Sequence, residues 1–408
     1  MPRQCEKWSD LKAAYRLLSN EAVDPRSIGQ PHQRRTKSTC AGYPLVLCVQ
    51  DDTHLSGRCD RMQHTTLAVL PDGRLLGILD QRFFQRVQTP AGETRLEREA
   101  RWRESCVWTE AAKAIGHAPM GRRFVHVSDR ASDDLNFMEA CEEEEAGFVL
   151  SRFHRDHDRR INGGEDRLWS FMPKQSSCGM ITVRIGAQRD ETGRIMRCER
   201  TAEVSIRFAK VVLEPPHNHP GDHAPRTVWS VYLREDASPA GEDAVDWMLL
   251  TSERVASEGE ARAIIGFYER RRVIEEWHRA LKEGCRAEMS LLDDPEDHLR
   301  LAALLSVVAV RLLQLRDLAD PSHAEANDAE ALRRWAPATW IAMVAKLGGH
   351  EARTLTPRQF MLTIAKRGGY LGRKRDPRPG WKVLWRGWYD ISLLVEGAEL
   401  RCQRPLPT

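Results

Sequence analysis

The residues best suited to chemistry are acidic side chains that follow short apolar segments. Asp51 and Asp52 follow YPLVLCVQ at residues 43 to 50, and Asp129 lies near the end of RRFVHVSDR at residues 122 to 130. Continuous apolar, β-branched runs are typical of strands buried on both faces, so we expect the carboxylates of Asp52 and Asp129 at the tips of central strands. Three further acidic residues compete with them on the residues alone: Asp51, Asp133 and Asp134.

A third candidate carboxylate, Glu275, lies in FYERRRVIEEWHRALKEG at residues 267 to 284. Each residue of an α-helix advances by about 100°, so one continuous helix would carry a narrow polar stripe beside an apolar face. The stripe contains Tyr268, Arg271, Glu275 and Lys282. The core-like face contains Val273, Ile274, Trp277, Ala280 and Leu281. The pattern indicates a cleft wall, but an ordinary amphipathic helix with i,i+4 ion pairs fits it equally well.

Three carboxylates from two strands and a helix suit phosphodiester chemistry. Cleavage and transesterification of DNA use two divalent cations, one to activate the nucleophile and one to stabilise the leaving oxygen. Mg²⁺ or Mn²⁺ prefers carboxylate oxygens and keeps water and phosphate as its remaining ligands. We therefore predict that Asp52, Asp129 and Glu275 bind two such ions, while Arg271 and Lys282 hold phosphates by charge-assisted hydrogen bonds.

The elements around these residues predict a mixed α/β fold. HTTLAVL and RLLGILDQRFF, separated by Pro71-Asp72-Gly73, predict a hairpin beside the first strand. Helices are expected at 7 to 22, 96 to 115 and 133 to 145, with a loop after the first. Residues 154 to 250 are rich in strand-like segments, and the chain is almost wholly helical from Glu258 onward, with predicted helices at 258 to 283, 295 to 318 and 327 to 347.

The amino-acid composition restricts the possible functions less than the acidic residues and the predicted elements do. The 62 cations and 59 anions nearly cancel, but Lys366 to Arg386 interleaves cations with aromatics, as nucleic-acid surfaces do. A solvated charged face is the simpler interpretation of that segment. The ten cysteines form no C-x-x-C pair, and the N-terminal residues lack the pattern of a signal peptide. With no apolar run of about 18 residues, we expect a cytoplasmic protein with no membrane span.

The Tyr268-x-x-Arg271-x-x-x-Glu275-x-x-x-x-x-x-Lys282 spacing resembles the YREK signature of the DDE transposases of the insertion-sequence-four family. The flanking segments EEWHRALKEGCRAE, DDPEDHLRLAALLSVVAVRLLQLRDL and DWMLLTSE also resemble such transposases. Within that resemblance, Asp52-Thr53 and Asp129-Arg130 match the first and second catalytic aspartates. The likeness extends over about residues 8 to 396.

The resemblance implies an RNase H-like core interrupted by a β insertion and followed by a helical dimerisation region. The implied units are 1–42, a remnant of an N-terminal helical region; 43–153, the first part of the core; 154–250, the insertion; 251–320, the second part with the catalytic helix; and 321–408, the dimerisation region. The implied activity is metal-dependent strand cleavage, hairpin formation and strand transfer by a homodimer in a synaptic complex with transposon ends and target DNA. Trp247 would receive a flipped base, and the DNA-contacting residues would include Arg130 and Arg152.

The chain also departs from the family pattern. Arg272 replaces a common tryptophan, and Ser151 stands where an arginine is expected, with Arg152 one place later. The 51 residues before Asp52 are fewer than relatives carry, which suggests N-terminal truncation. A non-catalytic remnant that binds DNA or dimerises, and so inhibits transposition, is the alternative function, and a generic metal nuclease is a third. His217, His219 and His223 could bind a metal, but a solvated loop explains them more simply.

Overall fold

The computed structural model describes residues 8–403 except 57–58, 95–96, 98–100, 153–157, 186–187, 190–194, 216–222, 240, 243, 290–291, 323, 374–375 and 377. The strands are β1 (Leu45–Leu55), β2 (Arg61–Val69), β3 (Leu75–Phe84), β4 (Arg123–Ser128), β5 (Gly147–Arg152), β6 (Arg160–Ile161), β7 (Asp166–Arg167), β8 (Gly179–Ile185), β9 (Gln188–Arg189), β10 (Ile195–Arg197), β11 (Arg200–Leu213), β12 (Arg226–Arg234) and β13 (Asp246–Thr251). The helices are α1 (Trp8–Leu18), α2 (Pro25–Cys40), α3 (Cys106–Ile115), α4 (Leu135–Glu143), α5 (Leu168–Phe171), α6 (Glu258–Glu269), α7 (Arg272–Arg279), α8 (Pro295–Leu318), α9 (Ala329–Trp335), α10 (Ala338–Gly348), α11 (Pro357–Arg367) and α12 (Trp381–Gln403).

The fold is mixed α/β, as the sequence predicts, and is built on one large mixed sheet. Its described strands run in the order β3-β2-β1-β4-β5-β13-β12-β11-β6-β7, and β8 also pairs with β11. Strand β1 is antiparallel to β2 and parallel to β4, and β4 is parallel to β5. Most described strands between residues 154 and 250 belong to the same sheet, because β13 pairs directly with β5, whereas β9 and β10 form a separate two-stranded sheet.

The β2–β3 hairpin forms where the sequence predicts it. Gly73 has a φ of 99°, a conformation that a residue with a Cβ adopts rarely, and its N–H donates to the carbonyl of Leu70. Strand β1 runs further than predicted, because Asp51 and Asp52 still pair with Thr65 and His64 of β2. The parallel pairing of β1 with β4 ends earlier, at Val49 and Val127. The two aspartates therefore lie beyond the last parallel pair.

The N-terminal predictions need correction. Residues 25 to 40 form α2, although the sequence pattern predicted a loop there, and α1 ends at Leu18. Pro25 lies in the first turn of α2, where proline is tolerated, and the Asp24 side chain caps that turn by accepting from the N–H of Arg26. The predicted helix at 96 to 115 is interrupted at residues 101 to 105, which are not helical, and α3 begins at Cys106; residues 95–96 and 98–100 lie outside the described residues.

The helix predicted at 258 to 283 is divided into α6 and α7. The N–H groups of Arg270 and Arg271 donate to the carbonyls of residues 267 and 268, an i to i−3 pattern that tightens the turn. A π-helical turn, Ala280–Gly284, then follows α7. The predicted apolar face is confirmed, because Ile274, Trp277, Ala280 and Leu281 are fully buried.

Helix α8 matches the predicted span of 295 to 318. By length and composition alone it could cross a membrane, but 61% of its apolar window is buried within the protein. It belongs to a core that joins Val310 to Trp277 of α7 and to Leu47 and Val49 of β1. That burial is typical of a core helix. The helix predicted at 327 to 347 is interrupted at Pro337, which separates α9 from α10.

The final helices form their own core around Leu332, Phe360, Ile364, Leu384 and Ile391. Helices α11 and α12 approach closely at Gly368 and Gly387. A Cβ on Gly387 would lie 1.7 Å from the carbonyl oxygen of Ile364, and a Cβ on Gly368 would lie 1.8 Å from that of Val383. Only glycine permits this backbone contact.

Candidate active site

The two aspartates in the C-terminal half of β1 point to opposite faces of the sheet. Successive side chains of a strand alternate between faces, and Val49 belongs to the core beneath α7, which fixes the face of Asp51. Asp51 contacts Arg271, whereas Asp52 contacts His64, with Oδ1 2.6 Å from Nδ1. Asp51 therefore lies on the face that carries Glu275, and Asp52, the predicted candidate, lies on the other.

Arg271 joins the acidic side chains of β1 and α7. Its Nη1 donates to Oδ2 of Asp51 at 2.6 Å, and its Nη2 donates to Oε1 of Glu275 at 2.8 Å. The i,i+4 pair with Glu275 confirms one contact expected from the sequence. The side chains of Asp51 and Arg271 are 16% and 21% exposed, while that of Glu275 is 46% exposed. One guanidinium thus bridges a shielded carboxylate and an accessible one.

Asp129 lies at the matching position of the next parallel strand. It directly follows β4, and the register that pairs Val49 with Val127 places Asp129 level with Asp51. Its Oδ1 accepts from the N–H of Ala131 at 2.8 Å, which caps the single turn Arg130–Ser132. The negative charge of Asp129 acts on both Asp51 and Arg271. Glu275 contacts Arg271 directly, whereas Asp129 lies close enough to Asp51 and Arg271 to influence both electrostatically.

The pKa of Asp51 reflects this setting. Burial raises it from 3.8 to about 6, and the nearby negative charges of Asp129 and Asp52 act in the same direction, while Arg271 opposes them. A carboxyl group with a raised pKa beside other carboxylates is a frequent property of functional sites. The pKa of the Arg271 guanidinium is raised by Asp51, Tyr268, Glu275 and Asp129, although burial acts against them.

The remaining residues of the predicted stripe lie around the same site. Lys282 donates to the backbone carbonyl of His54 in β1, and its Nζ lies 3.5 Å from Glu288. Glu288 also accepts from the N–H and hydroxyl groups of Ser56, and these hydrogen bonds, together with Lys282, lower its pKa even though burial opposes the shift. Tyr268 is half-buried against the core beneath α7. The sequence patterns did not reveal Glu288.

Three further residues were predicted to contact DNA, and the structure describes the side chains of two of them. Trp247 is 37% exposed and lies two residues before Leu249, a core residue on the face of α7, so the tryptophan shares that face. Arg130 is exposed directly after Asp129. Arg152 pairs through its backbone with Met248, but its side chain lies outside the described residues.

Asp52 takes part in a buried polar chain on the opposite face. His64 contacts Asp52 through Nδ1 and Gln50 through Nε2, the latter at 3.2 Å. Gln50 also lies 2.5 Å from Nδ1 of His126, and the Nε2 atom of His126 is buried with no hydrogen-bond partner among the described residues. Burial lowers the pKa of His126 to about 4. These contacts fix the tip of β1 between β2 and β4.

The competing acidic residues have separate structural contacts. Asp133 pairs with Arg159 at 2.7 Å, and Asp134 caps α4 by accepting from the N–H of Asn136 at 2.8 Å. Of the three histidines considered as metal ligands, His223 contacts Glu139 at 2.7 Å, whereas His217 and His219 lie outside the described residues.

The donor chemistry of the site fits a hard divalent cation, since Asp51, Asp129 and Glu275 offer carboxylate oxygens. Within the described part of the chain, however, no three His, Cys, Asp or Glu side chains are grouped closely enough to hold one ion. Arg271 instead neutralises Asp51 and Glu275. The ligand types are therefore suitable, while the side chains are arranged around an internal cation.

The C-terminal helices are similar to a known domain. Residues 336–404, which include α10, α11 and α12, match the family model of the Tn5 transposase dimerisation domain. The match supports a transposase that forms a homodimer through its C-terminal region.

Proposed function

We propose that this transposase is a metal-dependent DDE enzyme of the insertion-sequence-four type, with Asp51, Asp129 and Glu275 as its carboxylates. The observation that carries the proposal is the contact of Arg271 with both Asp51 and Glu275 beside the tip of β4. Asp51 replaces Asp52 in this assignment, because alternation along β1 turns Asp52 toward His64 and away from α7.

The order of elements supports an RNase H-like core. Strands β4 and β5 run parallel to β1, and the strands from β6 to β13 intervene between Asp129 and Glu275. Helices α6 and α7 then return the chain to the same face as Asp51. This arrangement is what an RNase H-like core with a β insertion requires, and it brings acidic residues from distant parts of the chain together.

The proposed reaction is hydrolysis of one DNA strand at a transposon end, attack of the freed 3′-hydroxyl on the opposite strand to give a hairpin, reopening, and strand transfer. When bound, two Mg²⁺ or Mn²⁺ ions would activate the attacking oxygen and stabilise the leaving oxygen. Asp51, Asp129 and Glu275 would hold those ions in a homodimeric complex with both transposon ends and target DNA.

The cationic side chains of the site would bind the DNA backbone. Arg271, now shared by two carboxylates, has the planar geometry that suits a phosphate. Lys282 would hold a second phosphate by its ammonium charge. Tyr268, Arg130 and Arg152 would add contacts to DNA, and Trp247, exposed on the face of α7, would stack against a base near the hairpin.

A hairpin-ended DNA duplex tests this assignment without knowledge of the natural terminal repeat. We expect wild-type protein to open the hairpin only when Mg²⁺ or Mn²⁺ is present. Asp51→Asn, Asp129→Asn and Glu275→Gln should each reduce the rate about a thousandfold, since loss of several kcal/mol of transition-state stabilisation has that effect.

Asp52→Asn is the matched control, because Asp52 is the adjacent acidic residue on the opposite face. It should retain activity within about tenfold of wild type, which corresponds to 1.4 kcal/mol. Activity that depends on Asp52 and not on Asp51 would refute the revised assignment. If wild-type protein has no activity and Asp129→Asn changes nothing, a non-catalytic DNA-binding or dimerising inhibitor becomes the better explanation.

A further inference from the structure

Helix α2 is strongly basic on a protein whose overall charge is nearly balanced. Its 16 residues contain four cations, Arg26, Arg34, Arg35 and Lys37, and no aspartate or glutamate. Elsewhere the chain commonly pairs arginine with an acidic residue, as in Arg82 with Asp80 and Glu110. The positive charges of α2 therefore have no acidic partner within the helix itself.

Helix α2 is held firmly against the edge of the sheet. Nε2 of His32 accepts from the N–H of Ile78 in β3 at 3.1 Å. Gly77 permits the close approach, because a Cβ there would lie 2.2 Å from the hydroxyl oxygen of Thr36. Its φ of 156° also disfavours other residues. These contacts with β3 fix the position of the helix that bears the basic side chains.

Arg311 of α8 joins this basic surface. It is exposed, and its Nη1 donates to Oε1 of Gln314 at 3.0 Å. Gln314 in turn donates to the carbonyl of Leu76 in β3 at 2.8 Å. These two hydrogen bonds place the Arg311 side chain beside the same strand that holds α2.

The charges of Arg35 and Arg311 oppose one another. Partial desolvation by its neighbours lowers the pKa of Arg311, although the residue as a whole is exposed, and the positive charge of Arg35 lowers the pKa further. His32, which accepts from the N–H of Ile78 in β3, has its pKa lowered to about 4 by burial and then by the guanidinium groups of Arg311 and Arg35. Neither arginine forms an ion pair with another side chain in the part of the chain that the structure describes. The two like charges are left unneutralised at an exposed surface.

A bridging anion would remove this repulsion. Arginine presents donors in a planar fork that suits phosphate oxygens, and a phosphate accepting from both side chains would convert repulsion into attraction. The sheet also relates this surface to the candidate active site. Ile78 pairs with Leu67, and Leu67 pairs with Val49, two residues before Asp51. Neighbouring strands are about 4.8 Å apart, so β3, the strand that α2 contacts, lies about 10 Å to the side of β1.

We propose that Arg35 and Arg311 form a second DNA-binding surface, which contacts the phosphate backbone of duplex DNA outside the segment held at the active site. The proposal rests on the proposed function, since that function brings DNA to the neighbouring face. Successive phosphates of one strand are about 3.4 Å apart along the axis, so a lateral distance of about 10 Å corresponds to about three nucleotides. The contact is independent of base sequence.

The salt dependence of DNA binding tests the surface directly. Fluorescence anisotropy would measure the affinity of a labelled 20-base-pair duplex between 50 and 300 mM salt for wild type and for the Arg35→Gln/Arg311→Gln double variant. Each neutralised phosphate contributes about 0.9 to the slope of log affinity against log salt, so the double variant, which loses the one phosphate held by both arginines, should lose about 0.9. The Arg35→Gln single variant should lose part of that.

Arg262→Gln/Arg333→Gln is the matched control, because both arginines are exposed and each already pairs with a glutamate of its own helix. The control should keep the wild-type slope. The unfolding midpoint of the Arg35/Arg311 double variant should not fall, since the substitution removes like-charge repulsion. This measurement separates lost contacts from lost folding.

The slope of the double variant could be unchanged while wild type still binds and opens hairpin DNA. That result would refute the DNA-binding role of Arg35 and Arg311 and leave the proposed function intact. An unchanged slope accompanied by weaker homodimerisation in sedimentation would assign the arginines to a protein contact instead, and would equally overturn it. Absence of salt-dependent DNA binding by wild type would remove both proposals together.

Discussion

Nη1 of Arg271 lies 2.6 Å from Oδ2 of Asp51, so the most shielded carboxylate of the candidate site already has a cationic partner. The same guanidinium reaches Glu275 through Nη2. A positive side chain between two carboxylates compensates part of their mutual repulsion and of the cost of burying Asp51. A divalent ion at this position would have to compete with that internal charge.

Replacement of Arg271 by glutamine should therefore strengthen the binding of Mn²⁺ to DNA-free protein. Without the guanidinium, Asp51 and Glu275 would present their full negative charge to the ion. We expect an affinity gain of up to about tenfold, equivalent to 1.4 kcal/mol, measured by calorimetric titration with Mn²⁺ alone. The same variant should cut DNA more slowly, because it also loses a phosphate-binding group.

Arg272→Gln provides the control, since Arg272 is the next residue along the chain and is exposed. It should leave Mn²⁺ affinity unchanged within twofold. If Arg271→Gln binds Mn²⁺ no better than Arg272→Gln does, the guanidinium does not compete with metal ions at this site.

The sequence predicted the buried face of α7 more successfully than the faces of the residues in β1. An amphipathic pattern fixes which helix residues are buried, and Ile274 and Trp277 are buried as expected. On β1 the run Asp51-Asp52 offers two acidic residues, and only the pairing with β2 and the position of α7 decide which one faces Glu275. A shift of one residue reverses the face, and no local pattern resolves it.

Two other differences between the sequence predictions and the structure have physical causes. Residues 25 to 40 contain glycine, proline and many polar residues, so their local pattern favours a loop, yet β3 and α8 hold them as α2. The division of the helix at Arg270 and Arg271 follows from i to i−3 hydrogen bonds that hydrophobic periodicity does not reveal. Tertiary contacts therefore decided the first outcome, and local backbone hydrogen bonds decided the second.

A second prediction concerns the contact between α11 and α12 in the matched dimerisation region. Gly387→Ala would place a Cβ 1.7 Å from the carbonyl oxygen of Ile364, which forces the helices apart. We expect a loss of about 1–3 kcal/mol or more, seen as a lower thermal unfolding midpoint and faster tryptic cleavage within residues 336–404.

Gly397→Ala is the control on the same helix. A Cβ on Gly397 would meet nothing within 4 Å, so alanine should stabilise α12 by about 0.5–1 kcal/mol through its better helix propensity. Equal destabilisation by both substitutions would mean that the close approach at Gly387 is not what constrains these helices.

A third prediction concerns the buried histidine of the polar chain behind Asp52. The pKa of His126 is about 4 in the folded protein, because burial disfavours its charged form, and its usual value is 6.5. Between these values the unfolded chain binds more protons, so acid shifts the equilibrium toward unfolding. The contribution of His126 to stability is fully present above pH 6.5 and is lost progressively as the pH falls toward 4.

His126→Asn should reduce this pH dependence, because asparagine does not titrate and its Oδ1 can accept from Gln50 in place of Nδ1. The fall in the free energy of unfolding between pH 7 and pH 4.5 should become smaller by up to about 3 kcal/mol, measured by urea unfolding, even if packing loss lowers the value at pH 7. Part of the pH dependence of the free energy of unfolding should remain, because burial also lowers the pKa of His32 and of His278.

His54→Asn, at an exposed position, is the control and should leave the pH dependence as in wild type. A His126→Asn profile as steep as that of the control would show that His126 does not enter the folded protein as a neutral group.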